Sequence, residues 1–148
     1  MKQIIGNILD VTGGIIVQQV NCQGVMGAGL AKQIRQKYPR VYEHYSGVCG
    51  MADSPLLGVV CYVRVSPTLL IASVFGQEFY GRNPNIVYTN YDALRTGLAD
   101  VAVVAKALGS QVYAPHGIGC GLANGDWNVV LSIIEETIPD AIIVKWDG

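Results

Sequence analysis

Short apolar, β-branched runs recur along this chain and are separated by stretches with a different period. Each run is bounded by glycine, proline or polar residues, which is typical of buried strands in an α/β sheet. The runs that predict strands are IIVQQV (15–20), GVVCYVRV (58–65), TLLIASVF (68–75), QVYA (111–114) and AIIVKW (141–146).

The stretches between these runs carry apolar residues three or four positions apart, the period of an amphipathic helix. They predict helices over 29–38, 88–108 and 126–137, with Pro39 ending the first and Asp126 capping the last, and a further short helix after Pro39. Residues 76–85 lack periodicity and predict an exposed loop. Because strands and helices alternate, we expect an α/β domain with a mostly parallel central sheet and helices on both faces.

Composition narrows the class of protein. The 148 residues suit one domain over 1–148, and 51% apolar with 14% charged residues predicts a filled globular core. A net charge of -1 gives no general basis for binding nucleic acid or a membrane surface, and the N-terminus lacks the apolar core of a signal peptide. Cys22, Cys49, Cys61 and Cys120 show neither C-x-x-C nor zinc-finger spacing, which predicts reduced thiols in a cytoplasmic protein without a metal site.

Two glycine-rich segments, NCQGVMGAGLAK (21–32) and PHGIGCGLANG (115–125), each follow a predicted strand and precede a predicted helix. Such loops lie at the carboxyl ends of strands, where backbone N–H groups and a helix N-terminus favour phosphate. Neither standard nucleotide motif fits the first segment. Leu30 and Ala31 stand where a P-loop requires lysine and serine or threonine, and Lys32 stands where a dinucleotide motif requires its third glycine.

Three stretches in order, GNIL (6–9), VNCQGVMGAGLAK (20–32) and GIGCGLANGDW (117–127), resemble the macrodomain family. The resemblance is to the branch with terminal ADP-ribose glycohydrolases, antitoxin macrodomains that remove ADP-ribose from DNA, and ADP-ribose-1''-phosphate phosphatases. Bacterial and phage members of that branch share stretches similar to FGQEFYG (75–81) and YTNYDAL (88–94). The resemblance implies a three-layer α/β/α macrodomain with a mixed, mostly parallel sheet that binds ADP-ribose between the two loops and needs no cofactor.

Carried over by position, the resemblance implies that the second loop wraps the diphosphate and the first closes over the distal ribose. Asn7 and Ile8 would meet the adenine, with Asn7 at a position where the family usually has aspartate. The ligand-binding residues so implied are Asn7, Ile8, Gly24, Val25, Met26, Gly27, Ala28, Gly29, Phe75, Gln77, Gly117, Ile118, Gly119, Cys120, Gly121 and Leu122.

The catalytic groups of the glycohydrolases are missing. Their nucleophilic lysine would fall within 75–77, which reads FGQ, and their partner aspartate is replaced by Ala123. The candidate catalytic residues are therefore Asn21 and Gln23, as polar groups beside the distal ribose, and His116, as a general acid or base. Two of them have a plainer interpretation, Asn21 as a turn residue and His116 as a structural hydrogen-bond donor.

Three functions follow from this resemblance. The favoured one is hydrolysis of ADP-ribose-1''-phosphate to ADP-ribose and phosphate. The others are removal of ADP-ribose from a modified protein or nucleic acid, and non-catalytic reading of ADP-ribose. The expected partners are ADP-ribose or a derivative and ADP-ribosylated macromolecules, with no membrane and no sequence-specific nucleic acid. Phe79, Tyr80 and Arg82 either cover the cleft or form a solvated surface loop.

Overall fold

The computed structural model describes residues 1–148 as six strands, four α-helices and one short 3-10 helix, Ile8–Asp10. The strands are β1 (Lys2–Ile5), β2 (Gly14–Asn21), β3 (Val60–Arg64), β4 (Leu69–Gln77), β5 (Val112–Pro115) and β6 (Ile142–Lys145). The helices are α1 (Gly29–Lys37), α2 (Pro39–Met51), α3 (Tyr91–Leu108) and α4 (Trp127–Thr137).

All six strands form one sheet in the order β1-β6-β5-β2-β4-β3. Only β3 and β4 pair antiparallel, and every other pair is parallel, which confirms the predicted mixed, mostly parallel sheet. The central strand β2 pairs with both β4 and β5. The carboxyl ends of these three strands therefore meet at one edge of the sheet, and the segments that follow them are neighbours there.

Each face of the sheet is covered by a pair of helices. Alternate residues of β2 show the division, since Ile15 and Val17 belong to the core under α3 and α4, whereas Ile16 and Val20 belong to the core under α1 and α2. Side chains of successive strand residues point to opposite faces, so one apolar strand supplies both cores. The predicted three-layer α/β/α architecture is confirmed.

The residues at which the helices begin and end are largely those that the sequence predicts. Pro39 is the first residue of α2, where a proline costs no helical hydrogen bond, and the Asp126 carboxylate caps α4 by accepting the Asn128 N–H at 2.8 Å. All four cysteines are free thiols. None of the helices has the length and hydropathy that crossing a membrane requires.

Two predicted boundaries are wrong at the junction of β4 and α3. Strand β4 continues through Gln77 rather than ending at Phe75, and α3 begins at Tyr91 rather than near residue 88. The cause is pairing between distant residues, since Thr89 forms a bridge with Gln77, and the Asn90 side chain caps α3 by accepting the Ala93 N–H at 2.9 Å. The loop predicted from residue 76 therefore starts only after Gln77.

Close packing of α3 on β4 depends on Gly97, because a Cβ at this position would overlap Cγ1 of Val74. We predict that Gly97→Ala lowers the free energy of unfolding by about 1–3 kcal/mol, since overpacking outweighs the better helix propensity of alanine. The matched control is Gly47→Ala in α2, where an added Cβ meets nothing within 4 Å and stability should rise by about 0.5–1 kcal/mol. Urea denaturation measures both, and equal shifts for the two variants would contradict this account.

Candidate functional site

A cleft of about 740 Å³ opens at the carboxyl ends of β2, β4 and β5. Its walls are the two glycine loops and the segment that follows β4. The volume lies within the range of about 300–1,000 Å³ that small-molecule sites usually occupy. The predicted site residues that line this cleft are Asn21, Val25, Gly27, Ala28, Gly29, Gln77, His116, Gly117, Ile118, Gly119, Gly121 and Leu122.

The other predicted residues do not line the cleft. Ile8, Met26 and Phe75 are buried in the core under α1 and α2. The Asn7 side chain caps the 3-10 helix by accepting the Leu9 N–H at 2.9 Å. The three predicted positions that remain outside the lining are Gln23, Gly24 and Cys120.

The loop cysteines are not set up as nucleophiles. Burial raises the pKa of Cys22 to about 12, with the nearby Glu78 charge acting in the same direction. Burial likewise raises the pKa of Cys120 to about 11, and the Asp126 charge adds to it. Because the thiolate is the reactive form, both thiols are protonated near neutral pH and are poor nucleophiles.

The second glycine loop leaves a row of backbone donors unused. Within it the Ile118 N–H donates to the Pro115 carbonyl at 3.1 Å, and the Cys120 N–H donates to the Gly117 carbonyl at 2.8 Å. The N–H groups with no acceptor in the protein are those of Gly117, Gly119, Gly121, Leu122 and Ala123. Since all five residues line the cleft, the loop offers a cradle of donors suited to an anion.

The first glycine loop ends at a helix N-terminus that is also open. Ala28 occupies the N-cap position of α1 and makes no side-chain capping bond, so the first N–H groups of the helix have no side-chain acceptor. Leu30 and Ala31 bring this terminus to the cleft. The partial positive charge of the helix end therefore adds to that of the second loop.

A network around Gln19 fixes the second loop and was not predicted from sequence. The Gln19 Nε2 donates to Gln77 Oε1 and to Thr89 Oγ1, each at 2.9 Å, and the Thr89 hydroxyl donates to the Gly119 carbonyl at 2.6 Å. Gly119 has φ +74°, and a Cβ there would lie 2.9 Å from Gln19 Oε1. A glycine is thus required both by backbone conformation and by the approach of the Gln19 amide. The sequence signal for this network is the pair of glutamines inside the apolar run IIVQQV.

Asn21 holds the first loop in place. Its Oδ1 accepts from the Gln23 N–H at 2.9 Å and from the Tyr45 hydroxyl at 2.8 Å, while its Nδ2 donates to the Val25 carbonyl at 2.8 Å. The Tyr45 hydroxyl also accepts from the Val25 N–H at 3.1 Å. Asn21 is only 7% exposed, so most of its hydrogen-bonding capacity serves the loop itself.

The three candidate catalytic side chains do not form one connected group. Gln23 donates from Nε2 to the Glu78 carbonyl at 3.1 Å, and His116 packs on Trp127 with ring centroids 4.6 Å apart. No hydrogen bond joins the His116 ring to Asn21 or Gln23. Burial, together with the Lys145 charge, lowers the pKa of His116 below its ordinary 6.5, so the imidazole is neutral at pH 7.

Charge is nearly absent from the cleft lining. Arg82 is the one charged side chain among the lining residues, which include no aspartate, glutamate or lysine. With neutral His116, the site therefore combines a single cation with unpaired backbone donors. This arrangement at the carboxyl edge of an α/β/α domain is suited to an anionic ligand.

Comparison with known proteins agrees with this description. No model of a protein family matches the chain. It is 25% identical over 127 residues to the DNA ADP-ribosyl glycohydrolase of Mycobacterium tuberculosis, a match covering 84% of this chain and 35% of that protein. It is 27% identical over 126 residues to the ADP-ribose 1''-phosphate phosphatase of Candida albicans, covering 82% of this chain and 80% of that protein.

Among solved structures, the macrodomain of Thermus aquaticus DarG superposes with a TM-score of 0.79 at 21% identity, covering 99% of this chain and 97% of that one. This likeness confirms the macrodomain fold. The two sequence matches, at 25% and 27% identity, show over most of the chain a similarity to proteins named for ADP-ribose chemistry. The chain spans about a third of the length of the DNA ADP-ribosyl glycohydrolase that it matches, since the match covers 35% of that protein.

The Tyr45 hydroxyl joins α2 to the first loop, so its removal should loosen that loop. We predict that Tyr45→Phe lowers the free energy of unfolding by about 1–3 kcal/mol, because it leaves the partly buried Val25 N–H and the buried Asn21 oxygens with fewer partners. The control is Tyr42→Phe, one turn earlier in the same helix, whose hydroxyl makes no hydrogen bond within the protein. Thermal and urea unfolding distinguish the two variants, and equal stability for both would contradict the role of Tyr45.

His116 should make stability depend on pH. Because its pKa is lower in the folded than in the unfolded protein, the unfolded state binds more protons as pH falls below about 6.5. We predict that wild type loses stability relative to His116→Gln between pH 7 and the lower pKa of the folded state. The free energy of unfolding of wild type minus that of His116→Gln, measured by urea titration at several pH values, should therefore decrease as the pH falls through this range. A difference that does not vary with pH would contradict the lowered pKa.

Proposed function

We propose that this macrodomain binds ADP-ribose and hydrolyses ADP-ribose-1''-phosphate to ADP-ribose and phosphate. The observation that supports binding is the set of unpaired N–H groups that two glycine loops present to one cleft. A diphosphate satisfies such donors without needing a charged side chain at each oxygen. The names of the relatives point to the same ligand, since both contain ADP-ribose or ADP-ribosyl.

The strand order gives a direction for the ligand along the edge of the sheet. Asn7 follows β1 at one end, the second loop follows β5, and the first loop follows β2. We place the adenine toward Asn7, the diphosphate on the second loop, and the distal ribose beneath the first loop. In this direction the 1''-phosphate extends past β2 toward the end of β4.

The proposed reaction needs few side chains. Water attacks phosphorus, the bond between phosphorus and the ribose oxygen breaks, and a proton passes to the departing oxygen. The loop N–H groups and the N-terminus of α1 stabilise the charge that develops on the phosphoryl oxygens. Asn21 holds the loop that carries part of these donors, and the proton that the departing oxygen receives comes from the attacking water. His116 follows β5 on the side of β6, so we give it no part in this transfer near β4.

Two observations favour the phosphatase over a lysine-dependent glycohydrolase. No lysine lines the cleft, and Gln77 occupies the end of β4, near the position at which the resemblance would place that nucleophile. The match to the phosphatase of Candida albicans also covers 80% of that protein, so the two chains are of similar extent.

A second candidate is release of ADP-ribose from modified DNA or protein, and the match to a DNA ADP-ribosyl glycohydrolase favours it. Without a lysine on the cleft, water would attack the distal ribose directly. A non-catalytic reader is the third outcome. The partners would then be ADP-ribosylated macromolecules, and the cytoplasmic location predicted from the cysteines stays a prediction.

Two assays test these proposals. We expect calorimetric titration to detect ADP-ribose binding by wild type, and Gly119→Ala to weaken it at least tenfold, because the positive φ and the Gln19 contact distort the second loop. Gly47→Ala is the control for the same substitution outside the cleft. Wild type should also release phosphate from ADP-ribose-1''-phosphate.

Other outcomes assign the other functions. Release of ADP-ribose from modified DNA or protein without phosphate release identifies the glycohydrolase. Binding without turnover of either substrate identifies a reader. No binding of ADP-ribose at millimolar concentration contradicts all three.

A further inference from the structure

Arg82 lies on a segment that borders the cleft beyond β4, residues 78–87, which we call the rim loop. The rim loop is anchored by side chains on both sides of Arg82. Gln77 Nε2 donates to the Phe79 carbonyl at 2.9 Å, and Asn124 Nδ2 donates to the carbonyls of Asn83 and Ile86 at 3.0 and 2.7 Å. The backbone at Arg82 is thereby tied to the end of β4 and to the segment after the second glycine loop.

The Arg82 side chain has no partner within the protein. The two ion pairs of the molecule both belong to Arg95, which binds Asp92 and Glu136 on the surface of α3 and α4. Arg82 makes no hydrogen bond and stacks on no aromatic ring, yet it lines the cleft. An unpaired arginine among lining residues that include no carboxylate is suited to bind an anionic ligand group, since its planar fork matches phosphate oxygens.

The position of Arg82 along the edge of the sheet indicates which anionic group of the proposed ligand it would bind. The predicted adenine end, at Asn7, follows β1, whereas the rim loop follows β4. Four strand spacings of about 4.8 Å separate β1 from β4, or about 19 Å in all. The unpaired donors of the second loop, after β5, lie between these ends and already suit the diphosphate. Arg82 therefore stands at the end of the cleft where a group carried by the distal ribose would lie.

We propose that Arg82 is a specificity-determining residue that binds the terminal phosphate monoester on the distal ribose. This inference rests on the proposed function and adds a recognition element for its substrate class. Arg82 should contribute little to ADP-ribose itself, which lacks that phosphate. It should contribute strongly to ADP-ribose-1''-phosphate, and through a charge that salt screens because the side chain is exposed.

The test compares Arg82→Gln with Arg40→Gln, which removes the same charge from an exposed position in α2 that does not line the cleft. We expect Arg82→Gln to lower kcat/KM for ADP-ribose-1''-phosphate about tenfold and to leave the Kd of ADP-ribose within about twofold. Arg82→Lys should recover part of the loss. If wild type releases no phosphate, the Kd of ADP-ribose-1''-phosphate measured by calorimetry replaces kcat/KM.

Salt gives a second readout. Between about 50 and 500 mM sodium chloride, wild type and Arg40→Gln should lose more kcat/KM than Arg82→Gln, because the screened interaction is already absent from that variant.

Three results would overturn the assignment. The first is equal behaviour of Arg82→Gln and Arg40→Gln. The second is an equal loss of affinity for ADP-ribose and its 1''-phosphate, which would place Arg82 on the diphosphate. The third is impaired release of ADP-ribose from a modified DNA oligonucleotide with unchanged handling of the monoester, which would place Arg82 on a phosphodiester. Failure of wild type to bind ADP-ribose would instead contradict the proposed function itself.

Discussion

Hydrogen bonds from two side chains at the carboxyl end of β2 fix the conformation of both glycine loops. In the first loop, the Asn21 side chain accepts from the Gln23 N–H and donates to the Val25 carbonyl. In the second loop, the Gly119 carbonyl accepts from Thr89, whose hydroxyl is bonded to Gln19. Because these side chains bind loop carbonyls and a few selected N–H groups, the remaining loop N–H groups stay without partners at the cleft. If the loop N–H groups were paired within the protein, they would not be free to donate to a bound anion.

The electrostatic character of the cleft depends more on the backbone than on charged side chains, of which only one lines it. Backbone dipoles and the α1 N-terminus contribute positive potential at the cleft, and Arg82 supplies the one formal charge. His116 stays neutral because burial against Trp127 and the Lys145 charge oppose its protonation. Such a site suits a ligand with several phosphates, and it suits chemistry in which bound water and fixed donors matter more than an ionised nucleophile.

Local sequence patterns were sufficient for five of the six strands and for the two glycine loops, because these depend on residues near one another in the chain, but they did not predict the short edge strand β1. The runs IIVQQV and TLLIASVF predicted β2 and β4, and Asp126 predicted the start of α4. Long-range pairings were not predictable in this way. The Gln77–Thr89 bridge moved two boundaries, and Gln19 and Tyr45 reach the loops through contacts 70 and 20 residues apart, to Thr89 and Val25. For the same reason the sequence could not show that Asn21 is occupied by its own loop or that Met26 and Phe75 face the core.

The central claim is that unpaired backbone N–H groups of the second loop bind the diphosphate of ADP-ribose. Nuclear magnetic resonance of the amide groups during titration with ADP-ribose tests it most directly. The account predicts that the amide protons of Gly117, Gly119 and Gly121 shift downfield on saturation, as new hydrogen bonds to phosphate form, while those of Ile118 and Cys120, already bonded within the loop, shift much less. Saturable binding that leaves the three glycine amides unshifted would contradict it.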